Sequence, residues 1–412
     1  MRQTTDMRVR RNMYCVAILF LGISQLSSQT TEGLIAYYSF DACDATDDLG
    51  NGADGVLSGG IECGCGAVGN ALIFDGIDDW VDYGSSEGDA LSKDFTISFY
   101  IAPENTSGTV DIFSRRKLCQ PDSAAAIRYD PATRMLRAEL TEGIAERAEI
   151  TARLNEGQCW YHVTWVRFGQ QMLLYIDGEL VSSEDFDDQI DAQNSGALTI
   201  ANSPCLANGE VRYKGALDEF RIYGRVLSSE EITGLYIPID DLISADTVLF
   251  LGSGMKISLS NSCADEYLWT PQTGVDMASD PEPTITAPET TTYGLLMDYG
   301  FCKAIDSIRI ITVDSTELDC NDVFLPNAFT PNLDGLNDDF GMSNANFFLG
   351  EFQSMDIYDR LGSKLFTGLT PYDRWDGAIN GTDALPGIYI YKIRFSCNNQ
   401  DEIVTGSFNL LR

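Results

Sequence analysis

Histidine is nearly absent from this sequence; His162 is the single one. A histidine-based catalytic triad would have to use it, and its neighbours Tyr161 and Val163 place it in a regular strand as a partly exposed sheet residue. There is no G-x-S-x-G nucleophile elbow. There is no paired C-x-x-C, which with the lone histidine argues against zinc. Positive charge is scarce: 27 Lys and Arg face 62 Asp and Glu, for a formal net charge of -35. Such a surface repels phosphates and has few counterions to release, which excludes nucleic acid as a partner and charge-driven docking on anionic lipid. Apolar runs long enough to span a bilayer are missing. Helical periodicity is almost missing too, so the fold class is all-β.

What is present begins with an address. Arg2, Arg8, Arg10 and Arg11 precede a short apolar core, Met13 to Ile23. Residues 1–28 therefore read as a signal peptide, cleaved near Ser28–Gln29, that takes Cys15 with it and leaves no transmembrane segment. Export permits disulfides. The remaining cysteines divide as Cys43, Cys63, Cys65, Cys119, Cys159 and Cys205, then Cys263 and Cys302, then Cys320 and Cys397. The last two groups suggest one bridge each, Cys263–Cys302 and Cys320–Cys397. The pairing of the first six stays open, although Cys63 and Cys65 are too close in sequence to bond each other readily.

Residues 30–238 read as many short antiparallel strands. Gly33 to Phe40 is aromatic-rich. Asp41 to Gly69 is a Gly-, Asp- and Cys-rich loop. Asn70 to Tyr83 reads as a hairpin about an Asp75–Gly76 turn. Phe95, Ile97, Phe99 and Ile101 alternate with polar residues, as on a half-buried strand. Val110–Phe113, Ala125–Tyr129, Met135–Leu140, Cys159–Phe168, Gln171–Ile176, Glu179–Val181, Leu198–Ala201 and Gly215–Tyr223 follow. One helix is signalled, by a Ser228/Glu231 capping box with Leu227 and Ile232 as a staple. Turns at such short intervals imply a sandwich of two sheets.

The ordered pieces G-L-I-A-Y-Y-S-F, G-N-A-L-I-F-D-G-I-D-D-W-V, W-Y-H-V-T-W-V-R, L-L-Y-I-D-G-E-L-V and L-D-E-F-R-I-Y-G-R-V-L-S-S-E-E-I resemble the concanavalin A-like jelly roll of laminin-G type. The resemblance implies glycan or protein-surface binding, often with one structural Ca2+. It points to Asp41 and Asp218, after the first strand and on the last, as metal ligands, because those strands tend to be neighbours. Asp75, Asp78 and Asp79 form a second acidic group, although turn closure alone explains Asp75 and Asp78. Trp80, Tyr83, Tyr100 and Tyr129 are the candidate aromatic platform for a glycan, and each fits the core equally well. Glycoside hydrolysis needs two carboxylates about 5–9 Å apart. Asp185 and Asp187 have suitable i, i+2 spacing, with Asp191 further along, but their charged run lacks the apolar neighbours that raise a general acid's pKa. The E-x-D-x-x-E strand of laminarinase-like relatives is absent, so no catalytic residue is expected.

Residues 240–318 carry Y-L-W-T-P-Q-T-G, T-T-T-Y-G and a C-x-x-x-D-S-I-x-I-x-x-V strand. They resemble Ig-like or PKD-like spacer modules. Residues 320–412 hold P-N-A-F-T-P-N-L-D-G-L-N-D (Pro326 to Asp338), D-I-Y-D-R-L-G (Asp356 to Gly362) and a terminal G-S-F-N-L-L-R. They resemble the type B C-terminal sorting domain of the type IX secretion system of Bacteroidota, with Leu333, Asp359 and Leu361 where Gly, Asn and Trp are common. Asn332, Asp334 and Asn337 resemble part of a calcium loop that lacks its distal Glu. The expected architecture is thus a jelly roll followed by two small β-sandwich domains. The expected partners are the type IX machinery through residues 324–412 and a glycan or surface protein through residues 30–238. The expected location is the outer cell surface or the medium of a Gram-negative Bacteroidota bacterium. The alternatives are a structural adhesion component without a small ligand and a carbohydrate-active enzyme.

Overall fold

The computed structural model describes every residue except 1–30, 86–90, 92, 120–122, 144–145, 188–189, 315–318, 320–321, 332–336, 344, 346–347, 349, 380 and 412. The signal peptide, Cys320 and the Asn332–Asp334 turn lie outside the described residues. The chain divides into two compact units, Met1–Ile239 and Asp240–Arg412.

The first unit opens with β1 (Leu34–Tyr38), β2 (Val56–Ser58), β3 (Glu62–Cys65), β4 (Asn70–Asp75) and β5 (Trp80–Asp82). It continues through β6 (Phe95–Pro103), β7 (Val110–Arg116), β8 (Ala124–Asp130), β9 (Met135–Thr141) and β10 (Arg147–Arg153). It ends with β11 (Tyr161–Phe168), β12 (Gln171–Ile176), β13 (Glu179–Asp185), β14 (Leu198–Ile200) and β15 (Lys214–Tyr223). These strands build two antiparallel sheets. An eight-stranded sheet runs β13-β12-β11-β6-β15-β4-β3, with β1 also on β15, and a seven-stranded sheet runs β10-β9-β8-β7-β14-β5-β2. Alternate residues of both sheets fill the space between them, among them Phe74, Ile97, Phe99, Ile127, Leu136, Trp165 and Phe220.

Two departures from the sequence reading matter. The stretch Asn70 to Tyr83 is not a hairpin, because β4 belongs to the eight-stranded sheet and β5 to the seven-stranded one. The Asp75–Asp79 loop carries the chain across the sandwich. The Asp41–Gly69 segment is also not only loop; it contributes β2 and β3, and Cys43 bonds Cys63 within it. Cys119 bonds Cys205, and Cys65 and Cys159 are also disulfide-bonded.

The helix α1 (Ser229–Leu235) carries the reciprocal capping box of Ser228 and Glu231. Its Ile232 and Leu235, with Leu227, pack on Val166, Tyr175 and Tyr223. These three strand residues face away from the main core. The central part of the outer face of the eight-stranded sheet is thereby covered by the segment that follows β15.

The second unit begins with β16 (Thr247–Phe250), β17 (Met255–Lys256), β18 (Glu266–Thr270), β19 (Thr284–Ile285), β20 (Thr291–Asp298) and β21 (Lys303–Val313). A four-stranded sheet β16-β21-β20-β18 and a β17-β19 pair enclose Trp269, Tyr293, Leu295 and Ile308. Cys263 and Cys302 are both disulfide-bonded. The strand expected over Ser253–Ser260 shrinks to β17.

The remainder holds β22 (Ala328–Phe329), β23 (Glu351–Tyr358), β24 (Lys364–Gly368), β25 (Ala378–Ile379), β26 (Thr382–Asp383), β27 (Gly387–Cys397) and β28 (Gln400–Leu410). Its main sheet is β22-β28-β27-β23-β24, with β25 and β26 paired apart. Phe329, Phe340, Trp375, Tyr389 and Phe408 form its aromatic core, and Cys397 is disulfide-bonded.

Candidate functional site

The sandwich decides which surfaces a ligand can reach. On β8 and β9, Ile127, Tyr129, Leu136 and Ala138 point into the core. Strand alternation then sends Arg128, Asp130, Met135 and Arg137 to the outer face of the seven-stranded sheet. Arg128 lies directly across from Arg137, and Arg137 directly across from Thr151 on β10. Together with Thr109, Asp130, Thr133 and Met135, these residues line a cleft of about 340 Å3.

Two arginines side by side on neighbouring strands repel one another. Here carboxylates beneath and beside them offset the repulsion. Arg128 donates from Nε to Asp111 Oδ1 at 2.9 Å and from Nη2 to Glu210 Oε1 at 2.6 Å. Arg116 donates to Glu139 at 2.7 Å, and Arg137 donates to Glu149 at 3.2 Å. Asp111 is fully buried; its burial pushes the carboxyl upward, against the pull of Arg116 and Arg128. The network therefore fixes the Arg128 guanidinium at the floor of the cleft, while the Arg137 side chain remains 44% exposed. The cleft thus presents fixed donors, a carboxylate acceptor, hydroxyls and one thioether. Groups of this kind can donate to and accept from a polyhydroxylated ligand.

The expected aromatic platform does not form. Tyr83 lies in the core against Tyr38 at 4.4 Å between ring centroids, and Tyr129 lies in the same core. Tyr100 does sit on an outer face, but the chain after α1 covers it: its hydroxyl accepts from Ile237 N at 2.6 Å. Trp80 is half-buried on β5, opposite Ser58 of β2. His162 is likewise buried, not partly exposed; its ring lies tilted against Tyr100 at 4.5 Å between centroids and its Nε2 meets Ser98 Oγ at 2.7 Å. Burial, aided by the charge of Arg221, lowers its pKa to about 3.

The metal candidates are placed by β15. Its first half pairs with β4 and its second half with β1. At this change of partner the strand bulges and Glu219 takes a left-handed φ of 55°. Asp218 sits at the bulge, buried, and accepts from Val68 N at 3.0 Å and Glu219 N at 2.8 Å. Asp41 accepts from Asn70 N at 2.9 Å. Both carboxylates thus address the loop of residues 66–70. A Cβ at Gly69 (φ 63°) would collide with the Asp41 carboxylate, so the loop needs glycine there. Burial raises Asp218 to about 8, with the charges of Glu219 and Asp41 pushing the same way and its backbone hydrogen bonds opposing. A buried acid raised in this way, with lone pairs to spare, is suited to a hard cation. Glu219 is not available to such an ion, because Arg221 and the Tyr37 hydroxyl occupy its carboxylate.

Asp75, Asp78 and Asp79 bring one ligand atom each within 4.8 Å of one another and could hold a metal ion. Asp79 is already engaged by Asp75 N at 2.9 Å and Gly60 N at 2.6 Å, and Asp75 by Ile77 N at 2.7 Å. Asp185 bonds Gln171 at 2.8 Å, and Asp191 caps Gln193 N at 2.9 Å, both at exposed positions. Among the described residues no helix is long and apolar enough to cross a membrane.

The fold and this polar sheet define a concanavalin A-like sandwich joined to small β domains. Residues 75–233 match the concanavalin A-like lectin/glucanases superfamily model Laminin_G_3, and residues 323–410 match the CHU_C type IX secretion signal domain. The chain carries both, and the second implies an exported protein that the secretion machinery handles. A search of the curated proteins found no match. Among solved structures, the chain is similar to domain 4 of AbnA, a GH43 extracellular arabinanase from Geobacillus stearothermophilus, in complex with arabinotriose. The identity is 21% and the TM-score 0.41, over 50% of this chain and 98% of that one. It is also similar to the botulinum neurotoxin serotype C1 binding domain (12% identity, TM-score 0.44, 92% and 94% covered). A third is the Trypanosoma rangeli sialidase (19%, TM-score 0.38), of which the match spans 33%.

Proposed function

We propose that this is a non-catalytic binding protein of the cell surface or medium of a Bacteroidota bacterium, which holds a saccharide in the cleft over β8, β9 and β10. The observation that carries this reading is the cross-strand row Arg128–Arg137–Thr151, set in fixed geometry by buried carboxylates. Recognition is favoured over hydrolysis because one carboxylate, Asp130, is among the residues lining the cleft, whereas glycoside cleavage takes two. We further assign Asp41 and Asp218, with backbone carbonyls of the 66–70 loop, as the residues that would hold a Ca2+ ion. The ion would neutralise the buried Asp218 and lock the loop. The β domain after Ile239 then acts as a spacer ahead of the export signal.

A glycan array probed with the mature chain tests the reading. Saturable binding to a saccharide, weakened about tenfold or more in Arg137→Ala, is the expected result. No binding across a broad array would leave a structural surface component, and release of reducing sugar would make the protein an enzyme. For the ion, adding Ca2+ to EDTA-treated protein should raise Tm, and Asp218→Asn should abolish the rise. An unchanged transition in the unmodified protein removes the ion.

A further inference from the structure

Three apolar side chains of the secretion signal domain project into water at one corner: Leu361 (85% exposed), Leu385 (81%) and Ile388 (61%). All three line one hollow of about 350 Å3, with Arg360, Leu365 and Tyr389. Neither leucine hangs on a loose segment. Leu361 sits in the turn from β23 to β24. There the Asp359 carboxylate accepts from Leu361 N at 2.9 Å and Ser363 N at 2.8 Å, and Asp359 N donates to Ser363 O at 3.0 Å. Gly362 completes the turn at a φ of 87°. Leu385 is tied through its carbonyl, which accepts from the Tyr389 hydroxyl at 2.7 Å, and the Tyr389 ring packs on the buried Trp375 at 5.1 Å. Apolar area held in water forgoes about 25 cal/mol per Å2 of burial. Hydrogen-bonded turns here keep it there, and a fixed apolar patch is the usual mark of a protein-binding surface.

We propose that this hollow is the surface by which the type IX export machinery grips the domain. The partner fitted to it is a protein reader presenting an apolar side chain for the hollow and a carboxylate for the exposed Arg360. The domain is a secretion signal, so its occupant is a component of that machinery and not a ligand of the jelly roll. The inference rests on the export assignment of residues 323–410 and is independent of the saccharide reading.

The test is the distribution of the full chain between periplasm and cell exterior in a host with type IX export. The double substitution Leu361→Ser/Leu385→Ser should cut the external fraction about tenfold. Leu361→Phe, which keeps the apolar knob, should export normally, as should Leu369→Ser, at an exposed leucine outside the hollow. The purified double variant should keep the parental Tm, since both leucines are exposed. Normal export of that variant overturns the inference. So does loss of export by Leu369→Ser, or a purified parent that is dimeric while the double variant is monomeric, which would make the patch a self-contact. Deleting residues 323–412 separates the two assignments: if the deletion is still exported, the address itself is wrong, and if it is retained while the leucine variant passes, only the grip site is wrong.

Discussion

The two outer faces of the jelly roll are built from the same alternation and put to opposite uses. On the eight-stranded sheet, Tyr100, His162 and Val166 point outward, and the chain after β15 returns to cover them. On the seven-stranded sheet, Arg128, Arg137 and Thr151 point outward; Arg128 is held mostly buried by its ion pairs, while the Arg137 side chain stays open to solvent. The first face is a second, smaller core. The second is a charged surface whose order comes from ion pairs. A sandwich needs one core to fold.

That contrast can be broken from either side. The largest expected effect is at Asp111→Ala, which removes the carboxylate under Arg116 and Arg128 and leaves buried guanidinium groups poorly compensated. It should cost about 3 kcal/mol of stability by denaturant titration and weaken saccharide binding as well. On the sealed face, Ile232→Ala should cost about 2 kcal/mol and leave binding unchanged.

His162 gives the sealed face a pH signature. Its folded pKa of about 3 lies below the 6.5 of a free histidine, so the unfolded chain binds the extra proton between those values. Its contribution is complete above pH 6.5 and is lost as pH falls toward 3, with a slope of up to about 1.4 kcal/mol per pH unit. His162→Gln should flatten that part of the stability profile relative to the parent, and parallel profiles would show that the ring is not dry. Smaller still, Ser228→Ala removes the α1 cap and should cost about 1 kcal/mol. Smallest is Arg137→Ala, which should change stability by less than about 0.5 kcal/mol while binding falls, since its ion pair with Glu149 is exposed.

Much of this was legible in the sequence. The capping box, the staple at Leu227 and Ile232, and most strands of the first domain follow from local rules. Parity on β8 also separates Tyr129, which shares the core phase of Ile127, from Arg128 and Asp130. Applied strictly, it would have removed Tyr129 from the ligand candidates and pointed to the arginines. The strand β10 was missed because Ala148, Ile150 and Ala152 make a weak apolar stripe, and with it the third wall of the cleft. Tyr100 could not have been judged this way. Its parity is outward, and only the return of a segment more than a hundred residues later buries it. The Asp75–Asp79 loop misled for a related reason: a tight acidic turn looks the same whether it joins strands of one sheet or of two.

Strand β28 lies inside its sheet, between β22 and β27, and delivers Phe408 and Leu410 to the core there. Its partner β22 comes from the opposite end of the same domain and runs parallel to it, pairing Ala328 with Asn409. Without β28 nothing joins β22 to β27, and one strand therefore ties the entry of this domain to its central hairpin.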